Sequence, residues 1–228
     1  MQLAVRSISK VYGPEKGLFP VSFDVKVGEV VAIVGHNGAG KSTLLKMLSN
    51  WIQPDYGDIT INGLNLKNRQ AVVKIIGFVP EVPNLFDFFS VGYNLKLFAL
   101  LFGAPLSRVD QILEEFNLLS FKKAKVRTLS KGLRQRVSIG RSLIADPAFL
   151  LLDEPTSGLD VDMTREVYRM MIQMHKVGRT ILFTTHRPEE IKNLATRILA
   201  FSKGVLMFDG TPADYFQTPL YKNSSPQL

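Results

Sequence analysis

Two hydrophobic periods run along the chain, and the places where one gives way to the other divide it into elements. Leu3, Val5 and Ile8 alternate moderately with polar neighbours, and Val21, Phe23, Val25 and Val27 alternate cleanly with Ser22, Asp24 and Lys26. A period of two puts alternate side chains on one face, so both stretches predict half-buried strands. Pro14 and Gly17 mark the turn between them. Val30-Val31-Ala32-Ile33-Val34 is apolar throughout, which predicts a strand buried on both faces, as in parallel sheet. Leu44, Leu45, Met47 and Leu48 then follow a helical period that ends around residues 50–54. Tyr56-Gly57-Asp58 reads as a turn. Ile59 and Ile61 read as a short strand closed by Asn62-Gly63, and residues 75–79 as a strand stopped by Pro80.

From about residue 84 the character changes. Val91, Leu95, Phe98, Leu101 and Phe102 recur at helical spacing, and so do Val109, Ile112, Leu113 and Phe116 after Pro105 and Ser107. Beyond residue 128 the strands return. Phe149-Leu150-Leu151-Leu152 is a buried strand, residues 163–175 a helix and residues 180–184 another strand. Residues 198–201 and 205–208 form a hairpin around Lys203-Gly204, and residues 211–216 a last helix. The whole predicts an α/β fold with a mixed sheet, an N-terminal antiparallel β portion and an inserted helical subdomain. It is read as one domain over 1–228: an α/β core at 1–83 and 129–220, the helices at 84–128, and a polar tail over 221–228.

Composition narrows the class. A chain of 228 residues with 46% hydrophobic positions can bury a core, yet it is too polar for a multi-span membrane protein. Its longest uncharged apolar stretch, residues 97–106, contains Gly103 and Pro105 and is far short of the roughly 18 residues that suggest a spanning helix. Arg6 and Lys10 without a following apolar run argue against a signal peptide. The absence of cysteine excludes disulfides and thiolate metal sites and suits a reducing cytoplasm. A net charge of +8 with no dense Lys/Arg run reads first as solubilising charge spread over the surface, with attraction to nucleotide and anionic lipid headgroups as the functional alternative.

The chemistry is concentrated first in Gly35-His36-Asn37-Gly38-Ala39-Gly40-Lys41-Ser42-Thr43. This is G-x-x-x-x-G-K-[ST], the phosphate-binding P-loop, set between a buried strand and a helix as that motif requires. Glycine lets backbone N–H groups approach oxygen closely, and the helix N-terminus favours an anion. Gly35, Asn37, Gly38, Ala39, Gly40, Lys41, Ser42 and Thr43 are therefore expected to bind nucleotide. Lys41 is suited to the β- and γ-phosphates and Ser42 to Mg²⁺. His36 occupies a variable position of the motif, and His175, on a helix among methionines, is read as structural.

Leu129-Ser130-Lys131-Gly132-Leu133-Arg134-Gln135-Arg136 makes the reading more specific. It resembles the L-S-G-G-Q signature of ABC-transporter ATPase subunits. The other family motifs stand in order. Leu150-Leu151-Leu152-Asp153-Glu154-Pro155 resembles Walker B with its catalytic glutamate, and Ser157-Gly158-Leu159-Asp160 the D-loop. Thr184-Thr185-His186 resembles the switch-histidine motif, Gly77-Phe78-Val79-Pro80-Glu81 the Q-loop, and Tyr12 the aromatic that stacks on adenine. The resemblance covers about residues 3–216. It implies a P-loop NTPase core and a Mg²⁺-dependent ATPase with catalytic Glu154, His186 and Lys41. Ser42, Asp153 and Glu81 are expected around the metal, and Tyr12, Ser130 and Gly132 around ATP.

It also implies partners. Ser130 with its hydroxyl and Gly132 with an accessible N–H cap the γ-phosphate of a second subunit, so two ATP are sandwiched in a homodimer or heterodimer. The chain is then the motor of a separate integral membrane permease, peripheral on the cytoplasmic face of the membrane. In the family the groove after the Q-loop receives a helix of the permease. Phe86, Phe88 and Phe89 are read either as part of that groove or as core of the helical subdomain, and Phe98 and Phe102 are assigned to the core. Glu81 in place of glutamine, and Lys131 and Leu133 in the signature, depart from the family pattern and look like exporter ATPases. The rival class is a non-transport ABC ATPase acting on ribosome or nucleic acid. Members of that class carry two cassettes with a charged linker, or a long coiled coil. This chain has neither, so no nucleic-acid partner is expected.

Overall fold

The computed structural model describes residues 2–14, 16–68, 72 and 74–222. The tail expected over 221–228 lies outside these residues beyond Lys222, and Pro219–Lys222 form a short helix instead. The chain builds two sheets. Strands β1 (Gln2–Gly13), β2 (Lys16–Lys26), β4 (Tyr56–Ile61) and β5 (Leu64–Asn65) form an antiparallel sheet in the order β2-β1-β4-β5. The second sheet has six strands in the order β10-β9-β3-β8-β7-β6. They are β3 (Val30–Val34), β6 (Ile76–Val79), β7 (Phe149–Leu152), β8 (Thr180–Thr185), β9 (Arg197–Ser202) and β10 (Val205–Gly210). All its pairs are parallel except the β9–β10 hairpin.

The apolar run of β3 explains the layering. All five residues are buried, but alternate ones face opposite cores. Val30, Ala32 and Val34 belong to a cluster shared with the helices Val91–Phe102, Ser107–Glu115, Lys131–Ser142 and Val161–Lys176. Val31 and Ile33 belong to a cluster shared with helix α1 (Lys41–Leu48) and with Leu3, Val5, Phe23 and Val25 of the antiparallel sheet. The strand is the wall between two cores, so it has no polar face to show.

Three local readings are corrected. Tyr56-Gly57-Asp58 lies inside β4 rather than in a turn. Gly57 has φ +80° and packs against the carbonyls of Arg6 and Ser7, at a register shift between β1 and β4. The turn-forming glycine therefore makes an irregularity within a strand pair. In the helix Val91–Phe102 the buried side is Val91, Asn94, Leu95 and Ala99, while Leu101 is 67% exposed. Phe98 and Phe102 are half-buried and line a cavity with Gly77, Phe78 and Arg141, whose guanidinium lies 4.7 Å from the Phe98 ring centre. Buried Asn94 takes a helical-face position that hydrophobicity cannot flag. It accepts from the Phe86 N–H and donates to the carbonyls of Phe86 and Ser90, fixing the entry to the helix.

Gly77 of β6 shows how closely the sheet meets the helix Lys131–Ser142. A Cβ there would lie 2.6 Å from the Ser142 carbonyl oxygen and 2.9 Å from Pro147 Cγ. Gly77→Ala is expected to destabilise the protein by about 1–3 kcal/mol through overpacking. Urea unfolding would show this as a lower midpoint at unchanged m-value.

Candidate functional site

In a parallel sheet every strand delivers its C-terminal end to the same edge. Pairing of Val34 with Thr185 and of Leu152 with Phe183 brings the ends of β3, β8 and β7 side by side. The loops after them carry the P-loop, His186 and Asp153-Glu154. Three motifs far apart in sequence thus meet at the edge where α/β sheets bind ligands.

The loop after β3 is shaped by its glycines. A Cβ at Gly35 (φ +152°) would run into the Phe201 carbonyl oxygen, so no other residue fits without displacing backbone. Gly40 (φ +97°) is the N-cap of α1 and offers no side-chain acceptor to the first turn. The opening N–H groups of α1 are therefore left for an external anion. Ala39 is buried in the core and anchors the loop.

Lys41 is only 5% exposed. Its Nζ donates to the carbonyls of Gly35 (2.7 Å) and His36 (3.2 Å) and lies 4.0 Å from Glu154 Oε1. Burial pushes its pKa below the ordinary lysine value, and the nearby carboxylates of Glu154, Asp153 and Glu81 only partly oppose this. A cation held in this way gains from an arriving polyanion.

Asp153 is buried and pinned from three sides. Its N–H donates to the Val79 carbonyl (2.9 Å), and its Oδ1 accepts from the hydroxyls of Ser42 (3.0 Å) and Thr184 (2.7 Å). The Thr184 hydroxyl also accepts from the Glu154 N–H at 2.7 Å. Glu154 has φ +43°, an uncommon conformation for a residue with a side chain. In that geometry its carboxylate lies between Lys41 and His186, whose Nδ1 is 3.2 Å from Oε2. Thr184 is the residue whose part the sequence reading missed. Its position at the end of an apolar strand, two residues before His186, was the available signal.

A cavity of about 750 Å³ opens over these groups, lined by Tyr12, Lys16, residues 37–43, Glu81, Glu154, Ser157 and His186. Tyr12, near the end of β1, is 58% exposed with its ring available at the rim. Glu81 is exposed, and its Oε1 lies 3.5 Å from the Ser157 hydroxyl. The adjacent Ser42 and Asp153 oxygens suit a hard cation that keeps several waters and phosphate ligands, as Mg²⁺ does.

Ser130 and Gly132 do not line this cavity. Ser130 caps the helix Lys131–Ser142, its hydroxyl accepting from the Leu133 N–H at 3.3 Å. Gly132, expected to offer an accessible N–H, is buried, and a Cβ there would press on the Met163 side chain. Lys131 is exposed and reaches over Gly158, where a Cβ would collide with its ammonium group.

The profile of the ABC transporter family matches residues 18–157. Nod factor export ATP-binding protein I of Burkholderia orbicola is 37% identical over 212 residues, spanning 91% of this chain and 70% of the relative. Linearmycin resistance ATP-binding protein LnrL of Bacillus subtilis is 33% identical over 217 residues, spanning 93% and 70%. Among solved structures, an ATP-binding cassette in a dimeric post-hydrolysis state, bound to ADP and Pi, superposes with a TM-score of 0.82. It is 26% identical and covers 92% of this chain and 98% of that one. The family match, the relatives that share nearly the whole chain and the phosphate-loop geometry agree: this chain belongs to the ABC transporter family as an ATP-binding subunit.

Proposed function

We propose that the chain is the ATP-hydrolysing motor of an ABC exporter, acting as a dimer on a separate integral membrane permease at the cytoplasmic face. The observation that carries this is the convergence of Lys41, Ser42, Glu154 and His186 on one cavity, with Asp153 buried behind it and hydrogen-bonded to Ser42. The export direction is supported by the relatives' roles in Nod factor export and linearmycin resistance. Dimerisation is supported by the dimeric cassette that shares the fold. Among the described residues no helix is long and apolar enough to cross a membrane, so coupling would run through the permease.

Tyr12 stacks on the adenine, and the P-loop N–H groups with Lys41 hold the β- and γ-phosphates. Ser42 and Asp153 would hold Mg²⁺ directly or through water, with Glu81 at the rim, and the ion would supply neutralisation of phosphate charge. Glu154 accepts a proton from the attacking water and orients it. His186, held to Glu154 through Nδ1, turns its imidazole to the γ-phosphate and senses whether it is present. Ser130 and the N-terminus of the helix Lys131–Ser142 face outward and complete the site of a second subunit. Loss of the γ-phosphate then releases the dimer and moves the permease. An ATPase acting on ribosome or nucleic acid is not favoured, since the named relatives are export and resistance proteins.

The purified chain is expected to release phosphate from ATP and to co-purify with a polytopic membrane protein. Failure of any membrane protein to co-purify with the chain would overturn the transport reading, and no hydrolysis with the permease present would overturn the motor reading. Within the site, Tyr12→Ala is expected to raise KM for ATP roughly fivefold or more, since base stacking on an aromatic is worth about 1–3 kcal/mol. Tyr12→Trp should keep KM near wild type, and steady-state kinetics over an ATP titration decides between the two.

A further inference from the structure

Glu190, on the helix Pro188–Leu194, is 1% exposed and outside the nucleotide cavity. A carboxylate is not buried so completely without partners, because its desolvation must be met by hydrogen bonds or charge. Its partners are specific. The Thr156 hydroxyl donates to Oε1, the Tyr168 hydroxyl hydrogen-bonds the same carboxylate, and Arg187 Nη1 lies 3.9 Å from Oε1. Burial and the Glu190 charge push the Tyr168 hydroxyl pKa up, so it stays a donor.

Two of these partners lie next to the chemistry. Thr156 is two residues beyond Glu154, buried, in the tight turn where Ser157 N–H donates to the Glu154 carbonyl (3.0 Å) and Leu159 N–H to the Thr156 carbonyl (3.1 Å). Arg187 directly follows His186, and its N–H donates to the Thr185 hydroxyl at 3.0 Å. The turn also holds Glu154 at its uncommon positive φ, a conformation that persists only where the surroundings over-determine it.

We infer that Glu190 is a positioning residue that ties the loop carrying Glu154 to the loop carrying His186, so that the Glu154–His186 pair forms at its 3.2 Å spacing. The inference rests on the motor reading above. Tyr168 anchors the carboxylate to the helix Val161–Lys176, and Thr156 and Arg187 are the two loop-side grips. Because none of these groups reaches the cavity, the arrangement acts on turnover and leaves nucleotide binding alone.

The test uses the full chain with its permease and follows phosphate release, affinity for a fluorescent ATP analogue and thermal unfolding together. Thr156→Val deletes the donor at nearly constant volume, and Thr156→Ser restores it. Thr156→Val and Glu190→Gln are each expected to lower kcat about tenfold or more, with KM and analogue Kd within about twofold of wild type. Thr156→Ser should recover most of the loss, and Thr156→Val with Glu190→Gln together should cost no more than the worse single change. Wild-type kcat in Thr156→Val overturns the inference. So does a loss of kcat that tracks a loss of nucleotide affinity or of melting temperature, or a Thr156→Ser variant no better than valine. If Glu190→Gln fails to fold, the Thr156 pair decides alone. Absence of ATP hydrolysis in the wild type would instead overturn the motor reading, and the inference with it.

Discussion

Glu154→Gln is expected to lower kcat for ATP hydrolysis by about 10²–10⁴-fold while ATP still binds. The amide keeps the size of the side chain and can still accept from His186, but it cannot take a proton from water. The backbone should be undisturbed, because it is held by the Thr184 hydroxyl and the turn hydrogen bonds rather than by the carboxylate. Removing the negative charge beside Lys41 also leaves that cation freer for phosphate. The variant should therefore accumulate with ATP bound and as a dimer. Light scattering of the ATP-loaded protein would show twice the protomer mass, where the wild type returns to monomer as ATP is spent. Phosphate release at the wild-type rate would remove Glu154 from the catalytic role.

Lys41→Met is expected to weaken ATP binding by about 30-fold or more, since losing one partner of a buried charged contact costs about 2–5 kcal/mol. The consequence for stability has the opposite sign. Lys41 is a buried cation whose pKa is depressed chiefly by desolvation, so it opposes folding as long as it carries its proton. The unfolded chain binds that proton more tightly than the folded one. Wild-type stability therefore rises with pH between the depressed folded value and the ordinary 10.5 of lysine, and below that window the penalty is constant. Methionine removes the ammonium group and flattens this rise. Calorimetry without nucleotide should find Lys41→Met no less stable than wild type near neutral pH, and with a shallower rise at alkaline pH. At one ATP concentration near the wild-type Kd, the wild type should gain melting temperature and the variant almost none. A variant that keeps the ATP-induced gain would contradict the assignment of Lys41.

Much of this was readable before any fold was known. The run 30–34 is apolar because both its faces are buried, and composition reports that directly. Gly35 is written as glycine because the Phe201 carbonyl crowds it, and Gly38 and Gly40 because the loop takes positive φ there. Where reading by period failed, the cause was competition from tertiary contacts. Leu101 fits the helical stripe yet faces solvent, while the polar Asn94 is buried because it ties down the backbone of Phe86 and Ser90. Gly57 signals a turn by residue type, but the neighbouring strand draws it into β4 as an irregularity. Gly132 was expected to expose an amide and instead is small to make room for Met163.

The amino-acid sequence by itself determined the elements, the family and the types of side chain brought to the phosphate, because these depend on local period and on motifs a few residues long. Only the tertiary structure decided which of those groups touch. The parallel register of β3, β8 and β7 puts residues 41, 154 and 186 at one sheet edge. Thr184 acts on Asp153 and on the Glu154 backbone at once, and Glu190 reaches Thr156 from another helix. Contacts between residues some 30 positions apart leave no period in a single chain. They follow from strand order and packing, and these supply the geometry that a list of motifs lacks.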